Sequence, residues 1–304
     1  MEIVLTSAGL CVSRTDNNAY TLSIPDRGAS CQISSTIGAH LTSWKVNDHE
    51  MIFLSERADL TGRIPIRGGI PLCFPQFSKF GPYPQSHGFA RNLTGAWRFE
   101  RAYNEGVPQG FNDPCVVLVL SLTGPLDTPR VSTPYPHPFV LTMTFRLYAT
   151  RIALSARVDN PSPEPLAFGF AYHPYFRVEE ATQVGVRGLQ GVRYKDQLVA
   201  GPEGEATQAG ELLTVDREVD RIYRGAPERV VLEDLRTHAA FLAVERRNIS
   251  DLVVWNPWVE KSKTMKDFQP EEYHKMICIE PAQVDLVQCA PGGSWEGQMV
   301  LSRL

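Results

Sequence analysis

Alternating apolar and polar positions are the dominant pattern of this chain. From Phe139 to Leu147 every second residue is apolar, and the run from Arg151 to Asp159 repeats the alternation after a short connection. A period of two predicts a strand with one buried face. Two such runs joined tightly predict an antiparallel hairpin.

Similar runs recur along the chain, separated by clusters of Pro and Gly. The other predicted strands are Tyr20–Ile24, Ala39–Val46, Met51–Leu54, Trp97–Ala102, Val116–Leu122, Leu166–Tyr172, Ala239–Val244, Leu252–Trp255, Met276–Ile279, Val284–Val287 and Trp295–Leu301. Long stretches with a helical period are missing, and short helical turns are expected only around Arg57 and from Thr264 to Phe268. The pattern predicts an all-β sandwich or barrel. No linker or repeat divides it, so we expect one domain over residues 1–304.

Composition narrows the possible partners. The chain has 304 residues, 43% hydrophobic and 21% charged, with a net charge of −4. A nucleic-acid or membrane-surface protein would carry a basic face, so neither partner is expected. The sequence lacks both an apolar run of about 20 residues, which a membrane span needs, and a basic leader. These features predict a cytoplasmic protein.

Its six cysteines are not paired as Cys-x-x-Cys, and we expect them to be reduced and mostly buried.

A loop rich in Gly, Pro and aromatic residues stands out from the strands. It comprises Arg67-Gly-Gly-Ile-Pro-Leu-Cys-Phe-Pro-Gln-Phe and Gly81-Pro-Tyr-Pro-Gln-Ser-His-Gly-Phe-Ala-Arg91. Solvated loops have no need for so many aromatic rings, so the composition favours a rigid loop that presents polar groups to a ligand. The alternative is a packed connection with incidental charges.

Two titratable residues lie where apolar runs end. Glu280 follows the continuous run Met276–Ile279, and a partly desolvated carboxylate there has a raised pKa that suits a general base. The alternative is a carboxylate that reaches solvent or pairs with an arginine. His173 follows Phe168–Tyr172, where it is either a packing residue or a proton-transfer group.

The remaining polar candidates are two arginines, a histidine and an aspartate. Arg67 and Arg91 would bind phosphate or carboxylate if they turn into one cleft, and are otherwise two surface ion pairs. The arginine near His87 disfavours a charged imidazole there, which favours a hydrogen-bonding role. Asp220 is a candidate acceptor for sugar hydroxyls.

Several familiar sites are missing from the sequence. It contains no His-x-His or other recurrent metal-ligand pairing, no Gly-x-x-x-x-Gly-Lys, no strand-associated Gly-x-Gly-x-x-Gly and no Gly-x-Ser-x-Gly. We therefore expect no metal and no nucleotide cofactor.

Four blocks, in matching order, resemble one known family. They are Arg67-Gly-Gly-Ile-Pro with Phe74-Pro-Gln-Phe, His87-Gly-Phe-Ala-Arg with Trp97, Asp220-Arg-Ile-Tyr, and the stretch from Trp255-Asn-Pro-Trp-Val-Glu-Lys to Glu280. Together they resemble the glucose-6-phosphate 1-epimerases of the aldose 1-epimerase superfamily. The resemblance implies a large antiparallel β-sandwich of the galactose-mutarotase type. It also implies a cofactor-free isomerase that interconverts the anomers of a hexose 6-phosphate.

The resemblance also assigns roles to residues. Glu280 matches the family's general base and His173 its general acid, which would open and reclose the sugar ring. Substrate-binding positions are matched by Arg67, Ser86, His87, Arg91 and Asp220, with Ser86 standing where the family often has Gln. We expect a monomer.

Two alternatives remain open at this stage. The substrate could be an unphosphorylated aldose, in which case the two arginines need not converge on one anion. The chain could also be a sugar-phosphate-binding module without catalysis, which has no need for an acid–base pair.

Overall fold

The computed structural model describes residues 2–7, 9–15, 19–107, 113–128 and 133–304. Within these ranges the chain is built mainly of strands. In chain order they are β1 (Glu2–Ser7), β2 (Leu10–Arg14), β3 (Ala19–Ile24), β4 (Ala29–Ser34), β5 (His40–Val46), β6 (His49–Glu50), β7 (Leu72–Cys73), β8 (Arg98–Glu105), β9 (Cys115–Leu126), β10 (Tyr135–Leu147), β11 (Arg151–Asp159), β12 (Leu166–Tyr172), β13 (Tyr175–Arg177), β14 (Val184–Arg187), β15 (Arg193–Asp196), β16 (Glu205–Thr207), β17 (Leu212–Thr214), β18 (Val219–Tyr223), β19 (Arg229–Asp234), β20 (Ala240–Arg247), β21 (Asp251–Asn256), β22 (Met276–Cys289) and β23 (Ser294–Arg303).

These strands form three antiparallel sheets in the described part of the chain. The N-terminal sheet runs β1-β2-β3-β4-β5-β6, and the back sheet runs β17-β14-β19-β20-β23-β11-β10-β9-β8. The third, which we call the site sheet, runs β16-β15-β18-β21-β22-β12-β7, with β13 added beside β22. The all-β antiparallel architecture predicted from the alternating pattern is confirmed.

The back sheet and the site sheet pack face to face around an aromatic core. In the β10–β11 hairpin, predicted from its alternation, Phe145 pairs with Leu154 and both side chains are fully buried. Phe168 of the site sheet packs against Trp295 of the back sheet, with ring centroids 5.6 Å apart. The Tyr172 hydroxyl lies 3.1 Å from the carbonyl oxygen of Leu154, so a hydrogen bond joins the two sheets.

Helix is a minor component of the described residues. One α-helix, α1, spans Trp258–Thr264. Short 3₁₀ turns occur at Pro25–Arg27, Ala90–Asn92, Ala181–Gln183, Pro202–Gly204 and Pro270–Lys275. None of these helices is long and apolar enough to cross a membrane.

Of the two predicted helical turns, the one from Thr264 to Phe268 was misplaced, and the one around Arg57 is a single hydrogen-bonded turn. The helix ends at Thr264, where the sequence predicted one to begin. The overlooked start signal was Asn256-Pro257. The Asn256 side chain accepts a hydrogen bond from the Trp258 amide at 2.9 Å, which satisfies one of the free amides at the helix start.

Two strand predictions were also wrong. Met51–Leu54 is not a strand, because only isolated bridges at Ile52 and Leu54 pair it with other segments. The predicted strands Met276–Ile279 and Val284–Val287 are parts of the single strand β22. Pro281 had suggested a break between them.

Strand β22 tolerates Pro281 because its neighbours change at that point. On one side it pairs with β13 as far as Cys278 and with β12 from Ala282 onward. The ladder on that side is therefore already interrupted around Pro281, which has no amide to donate. His173 lies in the matching gap between β12 and β13. The fold thus brings the two strand ends that carry His173 and Glu280 to the same place.

Candidate active site

A cavity of about 250 Å³ lies on the face of the site sheet that points away from the back sheet. On β22, Ile277 and Ile279 point into the main core, whereas Cys278 and Glu280 point to the opposite face. The cavity is lined by six of the seven residues that the sequence singled out, namely Arg67, His87, Arg91, His173, Asp220 and Glu280. They come from positions up to 213 residues apart, counted from Arg67 to Glu280.

His173 and Glu280 form a pair of neighbouring titratable groups in the cavity. Nδ1 of His173 lies 3.5 Å from Oε1 of Glu280, and the two side chains are 9% and 2% exposed. The imidazole stacks on the ring of Tyr175, with centroids 4.9 Å apart, and Trp255 packs edge-on against it. These contacts fix the plane of the imidazole beside the carboxyl group.

Burial shifts the two pKa values in opposite directions. It raises the pKa of Glu280 well above its ordinary value, and nearby Asp220 raises it further. It lowers the pKa of His173 well below its ordinary value, and the charges of Arg91 and Arg67 lower it further. Both shifts favour the uncharged forms of the two groups, while the charge of Arg91 partly opposes the shift of the Glu280 pKa.

His87 is held as a neutral hydrogen-bond donor. Its Nδ1 accepts a hydrogen bond from the Ser78 amide at 3.2 Å and lies 3.2 Å from the sulfur of Cys73. Burial lowers the pKa of His87, and Arg91 lowers it further, as its position in the sequence suggested. With Nδ1 occupied as an acceptor, the remaining proton belongs on Nε2.

The loop that carries His87 is fixed by a close backbone approach. Gly88 adopts a left-handed φ of +67°, and a Cβ atom there would lie 2.1 Å from the Phe74 carbonyl oxygen. Phe74 and Phe89 pack edge-to-face with centroids 5.9 Å apart, and Tyr83 packs on Phe89. The aromatic residues of the loop therefore bury it against the core.

Arg67 is oriented by two partners. Its Nε donates to Oδ2 of Asp267 at 3.2 Å, and an Nη atom donates to the Tyr175 hydroxyl at 2.9 Å. His40, at the start of β5, supports the same region, because its Nε2 lies 2.8 Å from the carbonyl oxygen of Gly68. His40 therefore ties down the backbone directly after Arg67.

The guanidinium group of Arg91 has weaker hydrogen bonding within the described residues than that of Arg67. It donates to the carbonyl oxygen of Ser86 at 3.3 Å. Its buried Nε has no hydrogen-bond partner in the described part of the chain. Burial lowers its pKa, which reflects the cost of keeping a guanidinium there. A buried cation of this kind is suited to an external anion.

Asp220 and Ser86 occupy different positions relative to the cavity. Asp220 lines it, and burial together with the nearby carboxylates of Glu218 and Asp196 raises its pKa to about 6. Ser86 does not line the cavity, and its carbonyl group supports Arg91 from behind.

Several residues of the site were missed in the sequence. Trp255 lies within a block quoted above and Tyr175 two residues after His173, but their aromatic character alone did not separate them from core residues. Asp267 had been noted only as part of a block. Gln197 also lines the cavity, and no motif surrounds it that would have indicated this.

A larger cavity of about 860 Å³ lies elsewhere, lined by segments around residues 49–51, 177–184 and 234–241. Among its charged residues, Arg236 pairs with Asp234 and Glu179. It contains none of the predicted site residues. The smaller cavity is therefore the better candidate, because an acid–base pair and two cations converge there.

Comparisons with known proteins identify related chains. The aldose 1-epimerase family model matches residues 18–302. A protein of Cenchrus ciliaris, provisionally named glucose-6-phosphate 1-epimerase, is 36% identical over 87% of this chain and 79% of its own length. A similarly named protein of Escherichia coli is 30% identical over 83% of this chain and 79% of its own. The crystal structure of a provisional mutarotase from Salmonella typhimurium superposes with a TM-score of 0.81 at 23% identity, covering 100% of this chain and 96% of that one.

Proposed function

Because the chain belongs to the aldose 1-epimerase family, we propose that its substrate is a hexose 6-phosphate whose α and β anomers it interconverts. Membership of this family makes the protein an isomerase, a mutarotase. The names of its relatives in Cenchrus ciliaris and Escherichia coli support glucose 6-phosphate as the sugar.

One observation carries the proposal: an acid–base pair and two half-buried guanidinium groups share a single small cavity. His173 and Glu280 lie 3.5 Å apart, while Arg67 and Arg91 line the same space. Anomer exchange needs one group to remove a proton and another to supply one. The arginines suit a phosphate, whose oxygens match the planar donors of guanidinium.

The reaction proceeds by ring opening. Glu280 takes the proton of the C1 hydroxyl while protonated His173 donates to the ring oxygen, so the bond between C1 and the ring oxygen breaks and C1 becomes an aldehyde. Rotation about the C1–C2 bond presents the opposite face of the aldehyde. The same groups act in reverse to close the ring, and no electrons or groups are exchanged.

The anionic substrate helps to set the proton where the reaction needs it. In the free site burial and the arginine charges keep His173 neutral. A bound phosphate offsets the charges of Arg67 and Arg91, which raises the proton affinity of His173. The proton can then pass from Glu280 to His173 across their 3.5 Å separation. The phosphate group thereby promotes protonation of His173 as well as binding of the substrate.

His87 and Asp220 contact the sugar in this proposal. Neutral His87 offers an Nε2 proton to a sugar oxygen, and Asp220 accepts from a hydroxyl group. Ser86 contributes through its carbonyl group, which supports Arg91.

The proposal extends to the setting of the enzyme. We infer a cytoplasmic, single-domain monomer without nucleic-acid partners or a required cofactor. Its net charge of −4 supports the absence of nucleic acid as a partner. Its six free cysteines, five of them buried, support a reducing compartment.

Exchange spectroscopy tests the proposal directly. Anomer interconversion of glucose 6-phosphate and other hexose 6-phosphates is measured by NMR with and without the protein, and free glucose is the control. We expect acceleration over buffer for phosphorylated sugars. No acceleration for any of these sugars would refute the catalytic function, and equal acceleration of free glucose would refute the phosphate assignment.

A further inference from the structure

Three buried donor groups of different chemistry meet at one corner of the cavity. Ligand atoms of His173, Cys278 and Glu280 all lie within 4.8 Å of one another. We propose that these three residues bind one Zn²⁺ ion, with water or a sugar oxygen from the cavity as the fourth ligand. An imidazole, a thiolate and a carboxylate are all ordinary zinc ligands, and a fourth position open to the cavity is typical of accessible zinc sites.

The spacing of the donors suits a tetrahedral ion. Ligand distances of about 2.1 Å to nitrogen and oxygen place two such atoms about 3.4 Å apart in a tetrahedron. The separation between His173 and Glu280 is 3.5 Å. With a longer bond to sulfur, Cys278 must approach its partners to about 3.6 Å. The present upper limit of 4.8 Å leaves at most about 1.2 Å for that approach.

The polar atoms of this cluster are incompletely satisfied within the described residues. His173 Nδ1 and Glu280 Oε2 are both buried and lack hydrogen-bond partners there. Buried polar atoms are nearly always satisfied, so unpartnered ones indicate a site that takes up an external group. The sugar is not the only external group that fits here, because a thiol also lies within reach. A sulfur ligand favours zinc over magnesium or calcium.

The neighbouring arginines do not prevent this binding. The thiolate of Cys278 and the carboxylate of Glu280 together carry two negative charges, which balance those of Zn²⁺. The complex therefore places no net charge beside Arg67 and Arg91.

Bound zinc would inhibit the enzyme. It occupies a nitrogen of His173 and an oxygen of Glu280, the two groups that move protons in the proposed function, on which this consequence rests. Cys278 takes no part in that reaction. It is fully buried and lies two residues before Glu280 on the same face of β22. The sulfur thus makes the active site sensitive to a metal that the reaction does not need.

Calorimetric titration of the metal-free protein with ZnCl₂ tests the site itself. We expect one equivalent to bind, and Cys278→Ala to weaken the affinity at least about tenfold, the lower end of what is lost when a metal site is perturbed. Cys31→Ala is the matched control, because Cys31 is equally buried but lies in the N-terminal sheet. Cys278→Ser serves as a second variant if the alanine variant folds poorly.

Cobalt provides a spectroscopic check. Co²⁺ bound to the wild type should show a thiolate-to-metal charge-transfer band, which Cys278→Ala removes and Cys31→Ala retains. The proposal is overturned if zinc does not bind, if Cys278→Ala binds it as tightly as the wild type, or if the cobalt band is absent.

Inhibition is measured separately. Cys278→Ala should keep the basal exchange rate and need at least about tenfold more zinc for half-inhibition. If the wild type accelerates no exchange, the proposed function fails while calorimetry still decides the zinc site.

Discussion

The proposed acid–base pair and the proposed anion-binding arginines are held in different ways. Glu280 lies within the long strand β22, and His173 follows directly on β12, whose Tyr172 is bonded to the opposite sheet. Arg67 and Arg91, in contrast, lie in connections between strands and depend on side-chain contacts for their positions. Proton transfer needs the more rigid support, because a displacement of about 1 Å can reduce a rate about a hundredfold.

Substitutions in the two regions should therefore have different effects. Changes on the strands should alter the chemical step while the fold and substrate binding persist. Changes in the loops should alter stability or affinity first.

The largest effect is expected on the strand side, for Glu280→Gln. The amide cannot take the C1 proton, so exchange of the hexose 6-phosphate should slow about 10²–10⁴-fold. NMR exchange rates measure this, and calorimetry should show that the sugar phosphate still binds. An exchange rate close to that of the wild type would remove Glu280 from the reaction.

On the loop side, Gly88→Ala should destabilise the fold. A left-handed backbone costs about 1–2 kcal/mol for an alanine, and overpacking against the Phe74 carbonyl oxygen adds about 1–3 kcal/mol. Gly95→Ala is the matched control, since Gly95 has φ +70° but open space around its Cβ position. The free energies of unfolding come from urea titration. Equal losses for the two variants would show that the loop relaxes freely.

Acid should weaken the same loop through His40. Burial lowers the pKa of His40 from 6.5 to about 4. The neutral form is thus favoured in the folded state, so its contribution is complete above pH 6.5. It is lost as pH falls toward 4, where the unfolded chain takes up a proton that the folded chain refuses. The loss amounts to about 3 kcal/mol.

Urea unfolding at pH 7 and pH 4.5 measures this loss. His40→Gln should flatten the dependence, whereas His49→Gln, at an exposed position, should leave it unchanged. If the free energy of unfolding of His40→Gln falls between pH 7 and pH 4.5 as much as that of the wild type, other groups cause the acid sensitivity.

The smallest of these effects is expected for Arg91→Ala. A hydrogen bond to a charged group is worth about 1.5–3 kcal/mol, so KM for the hexose 6-phosphate should rise about 10–150-fold. The rise for free glucose should be much smaller. Arg98→Ala, on an exposed strand residue, is the control. Equal rises for both sugars would contradict the phosphate-binding role.

The sequence predicted the fold well where packing is regular. The β10–β11 hairpin was found because one face of β10 is buried, which imposes an alternation. Strand β12 was found as an apolar run, since it is buried at all but one position. Short strands such as β15 and β16 were missed. They are largely polar and exposed, so only backbone pairing with neighbours defines them.

For the site, residue types at strand ends identified His173 and Glu280 as candidates, and the family resemblance supplied their roles. Their convergence could not be derived from the chain, because it depends on β22 changing partners beside Pro281. The local sequence instead predicted that the strand is interrupted at Pro281. Cys278 was likewise treated as an ordinary buried residue, since its distance from His173 is a tertiary property.

The two positively charged side chains that line the described cavity are both arginines, and this choice has a chemical consequence. Ring opening releases an aldehyde, and a lysine amine in the same place would attack it to form a Schiff base. Guanidinium stays protonated and does not react in this way. Arg67 and Arg91 therefore supply charge without nucleophilicity, so the enzyme can hold its own electrophilic intermediate without being glycated by it.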